Sequence, residues 1–473
     1  MKEYADIVFE ANDQCLFQKP TIVFGAGDRG REAYEWLREF EIDKIAFVDS
    51  NPDLIGMKLF DDIVYGVDFI DSNWQILISS SRYYTEIEST IVDIECCNVF
   101  NYGKLISGYY KDIVVKGMYG RVYKKSSLII YITRPFFSPE SRLYSHQNQQ
   151  QVRWMARMLW EKGFNVDIID YNSVYSVKDY ASRYDLIVDM SLGTNNLMNT
   201  LKSEACFKIA YITGSNPRFS NAAERERLEA LKERRGVRLP AVRNTKAPPK
   251  WISEYNVAVF IGNEHNLDTF KDYGLPKTYL INNTGYALDY SSRENHERPY
   301  NFMYIGGAGQ VHKGLDLLLE VFSSDSFPCH LYIVSNLDKD FSNCYYNELN
   351  NCSNIHVMGH LSIFSELFTS TAEKCAYMIY PSCSEGQSGA VLTAMSAGMI
   401  PIVSEYSGFD EEDCIVLKDC TIDTIRDTVL EYKNKDSKWV RYESERARNL
   451  ISQKFNKDCY LRILDRVFSE CKG

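Results

Sequence analysis

Short apolar runs rich in Ile, Val, Phe and Tyr alternate along most of this chain with longer stretches whose apolar positions recur at helical spacing. That alternation predicts parallel strands joined by helices. Thr21 to Phe24, Lys44 to Val48, Leu128 to Ile132, Val166 to Ile169, Leu186 to Asp189, Lys208 to Ile212, Val257 to Ile261 and Thr278 to Ile281 read as strands. The series continues with NFMYIGG from Asn301, His330 to Val334, Ile355 to Val357, Ala376 to Tyr380 and Ile400 to Ser404. A helix is expected from the first glycine turn through Phe40, and another over Gln149 to Lys162. Leu315, Leu318, Leu319 and Phe322 form the core-facing stripe of a third. The last helix is expected over roughly Lys438 to Cys471, crossing back to the preceding unit.

Polar and glycine-bearing segments divide this series. The expected organisation is an N-terminal Rossmann-like nucleotide-binding domain over residues 1–115, a linker at 116–127 and two further Rossmann-like domains at 128–295 and 296–473. The fold class is therefore α/β, with Rossmann-like domains in succession. A length of 473 residues accommodates about three domains, and 45% hydrophobic with 25% charged residues is ordinary for a soluble globular chain.

Charge and cysteine content narrow the function classes. A net charge of −11 argues against general nucleic-acid binding. Thirteen cysteines without regular spacing, including the adjacent Cys96 and Cys97, lack a zinc-type partner set and suggest reduced thiols. No apolar run reaches the roughly 18 residues of a membrane span, and the start MKEYADIVFEAND is too acidic for a signal peptide, so a cytoplasmic location is expected. Residues 224–250 depart from the acidic average with nine Lys or Arg and four Glu, a net of +5. Mixed signs in ERERLEALKERR suit a solvated helix with internal pairs. The alternative is a surface peripheral to the inner membrane face, meeting anionic headgroups or a polyprenyl-diphosphate-linked acceptor.

Three glycine-bearing turns carry candidate chemistry. GAGDRG at 25–30 places Gly25, Gly27 and Gly30 between a strand and a helix, with Asp49 about 20 positions on at the next strand end. This pattern fits NAD(P) or another nucleotide, or a purely structural turn. In PSCSEGQSGAVLTAMSAGMIPIV, from Pro381, a buried strand runs into a small-residue loop and then a helix starting near Gly389. Helix N-termini suit phosphate, whereas Glu385 at the loop's mouth is suited to accept hydrogen bonds from hydroxyls. A ligand with both groups is a nucleotide sugar. The third turn, YIGGAGQVHKG at 304–314, offers Lys313 to a diphosphate, with His312 beside it.

The last two segments resemble the nucleotide-sugar site of glycosyltransferase family 4, enzymes of the two-domain GT-B architecture. With SHQNQQQVRWMARMLWEKGFNVDIIDY and YITGSNPRFSNAAERERLEALKERRG, the resemblance covers most of residues 128–450 and extends to a subgroup from bacterial surface-polysaccharide gene sets. It implies a retaining, metal-independent transfer of a sugar from a nucleoside diphosphate to a glycan or lipid-linked acceptor. No Asp-x-Asp dyad stands at a suitable strand end. Glu385 matches the carboxylate that contacts the donor sugar, and Lys313 the lysine that neutralises the diphosphate. Gly307, Gly309, Gly386, Gln387, Ser388 and Gly389 complete the donor set, with amides 386–389 on the diphosphate. Thr393 stands where the family's ribose-binding Glu would be, and Ala308 where its diphosphate Arg would be. These departures motivate a second reading, a non-catalytic scaffold or binding subunit. On the acceptor side, Arg134, Arg142 and His146 follow the first strand of their unit, and Arg218 and Asn221 follow a later one. The first 115 residues resemble small nucleotide-binding Rossmann domains fused to polysaccharide-biosynthesis enzymes, which leaves a third reading, a nicotinamide-dependent sugar-modifying activity.

Overall fold

The computed structural model describes residues 20–38, 44–80, 83–94, 99–103, 114–119, 121–136, 146–173, 184–201, 205–286 and 300–471. Arg142 and most of the polar segment 290–301 lie outside them. The fold is α/β, and its sheets are predominantly parallel and Rossmann-like. Contacts divide the chain into two compact units. The first comprises Met1–Tyr144, Asn148–Asp185 and Asn195–Leu197; the second comprises Ser145–Gln147, Leu186–Thr194 and Met198–Gly473.

In the first unit, β1 (Thr21–Phe24), β2 (Ile45–Val48), β3 (Lys58–Leu59), β4 (Asp62–Tyr65), β5 (Gln75–Ile78) and β6 (Val99–Asn101) form a sheet in the order β3-β4-β2-β1-β5-β6. Helix α1 (Asp28–Arg38) turns Ala33, Trp36 and Leu37 onto it. Strands β7 (Val114–Met118), β8 (Lys125–Tyr131) and β9 (Phe164–Asp170) follow, with β8 parallel and β7 antiparallel to β9. The expected linker at 116–127 thus contains parts of two strands, because Val114 to Met118 pairs with the edge of β9.

In the second unit, β10 (Leu186–Asp189), β11 (Phe207–Ile212), β12 (Val257–Ile261) and β13 (Thr278–Ile281) run parallel in chain order. Then β14 (Asn301–Ile305), β15 (His330–Val334), β16 (Ile355–Gly359), β17 (Tyr377–Tyr380), β18 (Ile400–Val403) and β19 (Ile415–Val416) make an all-parallel sheet in the order β16-β15-β14-β17-β18-β19. Strand β17 is buried along its whole length, as expected of a strand covered on both faces. The order reverses between β14 and β17, and such switch points are where open α/β sheets bind ligands. Helices α3 (Leu315–Phe322) and α4 (Gly389–Ser396) start from the turns after β14 and β17, and α2 (Pro217–Arg235) reaches that edge through Arg227, which donates to the Pro381 carbonyl.

The expected terminal helix is two helices, α5 (Ser437–Gln453) and α6 (Lys457–Ser469). The break has a tertiary cause: Gly285 donates its amide to the Phe455 carbonyl, and the Asn456 side chain caps α6 by accepting from the Cys459 amide. Helix α6 packs on β13 and buries Tyr460, Leu464, Val467 and Phe468. The described cysteines are free thiols. Among the described residues no helix is long and apolar enough to cross a membrane.

Candidate functional site

Because β14 and β17 are parallel neighbours, the turns that follow them emerge side by side. Gly314 has φ +77°, and a Cβ there would lie 2.4 Å from the Pro381 carbonyl oxygen. A glycine at that point lets the two turns touch. The contact brings Lys313 against Tyr380 and Glu385. Lys313 Nζ donates to Tyr380 Oη at 2.8 Å and to Glu385 Oε1 at 3.3 Å. Tyr380 Oη in turn donates to the same carboxylate oxygen at 2.8 Å, and Ser382 Oγ reaches it at 3.3 Å. Among the described residues Oε2 accepts no hydrogen bond.

The Lys313 and Glu385 side chains are 11% and 13% exposed, so the pair is mostly removed from water while one edge stays reachable. Burial alone would raise the Glu385 pKa; the charges of Lys313 and Arg243 and the Tyr380 hydrogen bond outweigh it and hold the carboxyl at about 2. Glu385 is therefore an anion at any physiological pH, with one oxygen anchored and the other available to a hydroxyl.

The main chain of Glu385 is fixed as firmly. Its carbonyl accepts from the Ser215 amide at 3.1 Å, Ser215 Oγ at 2.6 Å and Asn266 Nδ2 at 2.7 Å. The loop after β11 thus positions the acidic loop. His312, expected beside Lys313 on the donor side, is fully buried, and its Nε2–H donates to the Ser384 carbonyl at 2.6 Å. Burial lowers its pKa and keeps it neutral, so its part is to brace the loop.

Several other expected donor contacts are redirected. Gly386 is wedged against the Thr213 and Ile261 carbonyls, and the Ser388 amide donates to the Ser407 carbonyl at 3.2 Å. The amides of 386–389 are consequently not all turned to a ligand. Gln387 is buried and saturated by Asn283, Asn282 and Gly408. Thr393 directs its hydroxyl onto the Gly389 carbonyl within α4 at 2.9 Å and receives Gln147 Nε2 at 3.5 Å. A ribose contact would have to displace those bonds. Gly389 itself faces Gln147. Gly307 is exposed with open space at its Cα, whereas Gly309 lies under the Arg243 side chain.

On the expected acceptor side, Arg134 opens a 3₁₀ turn, Arg134–Phe136, in the first unit, and its side chain is outside the described part. His146 is exposed and immediately precedes Gln147. Arg218 lies over the Tyr273 ring at 5.9 Å, and Asn221 exchanges two hydrogen bonds with the Thr245 backbone, so neither joins the Glu385 cluster. The basic segment is also reassigned in part. Arg227 donates to the Pro381 carbonyl at 3.0 Å, Arg234 pairs with Asp316 at 2.6 Å, and Arg235 pairs with Glu320 at 2.7 Å and Glu348 at 2.6 Å. These three cations tie α2 to its neighbours and are not a solvated or lipid-facing stripe.

In the first unit, Gly25 has φ +105° and a Cβ at Gly30 would sit 1.9 Å from the Gly25 carbonyl oxygen, while nothing lies within 4 Å of one at Gly27. Asp49 does not stand free for a ribose: Oδ2 accepts from the Ala26 amide and Oδ1 from the Asn51 amide, each at 2.8 Å.

Sequence reasoning missed Tyr380, Ser382, Arg243, Gln147, Ser215 and Asn266. Tyr380 was visible only as the last residue of a buried strand, and Arg243 only as part of a basic segment.

Residues 299–431 match the family model described as glycosyl transferases group 1. No curated protein matches the chain. Among solved structures, sucrose-phosphate synthase from Thermosynechococcus elongatus aligns at 12% identity and a TM-score of 0.50, over 73% of this chain and 98% of that one. At that identity the likeness is one of fold. HepE from Anabaena, solved with UDP and glucose, aligns at 10% identity and a TM-score of 0.47, over 74% and 99%. TarM aligns at 14% identity and a TM-score of 0.42, over 61% of this chain, which spans about half of TarM's length, 54%.

Proposed function

We propose that the chain is a retaining glycosyltransferase that moves a sugar from a nucleoside diphosphate to a glycan or lipid-linked acceptor in polysaccharide biosynthesis. The observation that carries this reading is the Glu385 carboxylate, with Oε1 held by Lys313, Tyr380 and Ser382 and Oε2 unpartnered, at the β14/β17 switch point of a segment matching glycosyl transferases group 1. In this reading Oε2 accepts from hydroxyls of the donor sugar and orients it. The bond from the anomeric carbon to the diphosphate oxygen breaks, a bond from that carbon to an acceptor hydroxyl oxygen forms, and the hydroxyl's proton passes to the departing diphosphate oxygen. Lys313 stabilises the charge that develops on the departing diphosphate, without a metal. Retention follows from the family resemblance.

A thermal-shift panel of UDP-, GDP-, ADP- and dTDP-sugars, followed by transfer assays with wild type and Glu385→Gln, tests the proposal. Ligand at a hundredfold excess over its dissociation constant stabilises by about 2.7 kcal/mol, which is readily detected. Turnover by wild type that Glu385→Gln retains in full would remove the assignment. Donor binding with no turnover by wild type would favour the scaffold reading. For the first unit we propose a nucleotide or NAD(P) at the Gly25 to Gly30 turn, since Gly27 leaves room for a ligand. NAD and UDP titrations against Gly27→Val test this, and no binding by wild type overturns it.

A further inference from the structure

We infer that Arg243 is a phosphate-binding residue of the Glu385 site, supplied by a loop outside the matched segment 299–431. The inference rests on reading that site as one for a nucleoside diphosphate sugar.

Residues 237–249 leave α2 without regular secondary structure, yet their path is fixed. The buried Glu224 carboxylate accepts from the amides of Val242 and Arg243 at 3.1 Å, and Asn221 ties down Thr245 at 2.8 and 3.0 Å. That anchoring lays the Arg243 stem across the turn after β14. A Cβ at Gly309 would stand 2.9 Å from Arg243 Cγ and 3.2 Å from Cδ, so glycine at 309 makes room for the arginine.

The guanidinium is held near the site without being consumed there. Arg243 is exposed, and among the described residues its side chain makes no hydrogen bond or ion pair. The field of Glu385 is the largest influence raising its pKa. Arginines anchored through their backbone and left unpaired beside a buried carboxylate are poised for an incoming anion.

The charge balance requires such a group. Lys313 is already matched by Glu385 at 3.3 Å, so that pair presents no net charge to a diphosphate carrying several. Ala308, on the same turn, offers none. Taking the diphosphate out of water beside a neutral pair would be costly, and a planar guanidinium can meet two phosphate oxygens at once.

The test compares each of UDP, GDP, ADP and dTDP with its monophosphate by calorimetry on wild type, Arg243→Ala, Arg243→Met and Arg243→Lys. For whichever diphosphate wild type binds, the Ala and Met variants should bind about ten- to hundredfold more weakly, the matching monophosphate should lose less than about threefold, and Lys should recover part of the loss. Arg243→Met keeps the stem packed on Gly309, so an unchanged melting temperature in that variant separates lost charge from lost folding. Equal loss for diphosphate and monophosphate, or no loss for either, overturns the role of Arg243 while leaving the donor-site reading intact. If wild type binds none of the four diphosphates, the donor-site reading fails and the inference falls with it.

Discussion

The turn after β1 and the turn after β14 share one grammar, a buried parallel strand, glycines and a helix, but the carboxylates that serve them are used in opposite ways. Asp49 gives both oxygens to main-chain amides of its own unit, at Ala26 and Asn51. Glu385 gives one oxygen to Lys313, Tyr380 and Ser382 and keeps the other. Asp49 ties two segments of its own turn together, whereas Glu385 is anchored through one oxygen and left with the other. The glycine pattern therefore marks where a backbone can turn tightly, and the distribution of hydrogen bonds says which carboxylate oxygen is left for a ligand.

Breaking the second carboxylate should have the largest effect. Glu385→Gln is expected to lower kcat/KM for transfer by on the order of 10²–10³, the range for losing a preorganised electrostatic contact. A loss below tenfold would erase the distinction between the two turns.

Acid should reveal the same carboxylate next. Its folded pKa of about 2 lies below the usual unfolded value near 4.3, so it contributes about 3 kcal/mol that is fully present above about pH 5 and is lost as pH falls toward 2. The kcat/KM profile should accordingly show no acid limb from Glu385 between about pH 4.5 and 7. A limb near pH 6 abolished by Glu385→Gln would contradict the geometry.

Smaller effects belong to the first turn and to Thr393. Gly30→Ala must displace the Gly25 carbonyl, only 1.9 Å from the new Cβ, and should destabilise the first unit by about 1–3 kcal/mol in calorimetric unfolding. Gly27→Val, with open space, should change stability by less than about 0.5 kcal/mol. Between them, Thr393→Val should cost about 1 kcal/mol through the lost bond to Gly389 and shift the donor KM less than about threefold. A tenfold KM change would return Thr393 to the ligand.

These contrasts show what could be read from the sequence. Strands β1, β10 and β12 lie where their apolar runs begin and end, because a strand covered on both faces needs an unbroken buried segment, and the partly buried β13 and β15 keep the same bounds. Glu385 and Lys313 were legible because each sits beside a glycine turn on adjacent parallel strands. Their partners were not. Tyr380 looked like core, and Arg243 and Gln147 come from segments whose approach depends on how strands are ordered in space. The charges of 224–250 were visible but their destinations were not: Arg234 and Arg235 find carboxylates 82 to 113 residues away. The break at Phe455 was hidden likewise, since Gly285 causes it.

The three donors on the Glu385 carbonyl have a consequence for the order of folding. Ser215 and Asn266 reach it across 170 and 119 residues of chain. Contacts that close loops of this size form late, after local helices and hairpins. A nascent or half-assembled chain would hold the glycine turns and the acidic loop without the clamp that aims the carboxylate. If the proposed function holds, donor turnover would be confined to molecules whose second unit is finished, and completion of the fold would act as the switch.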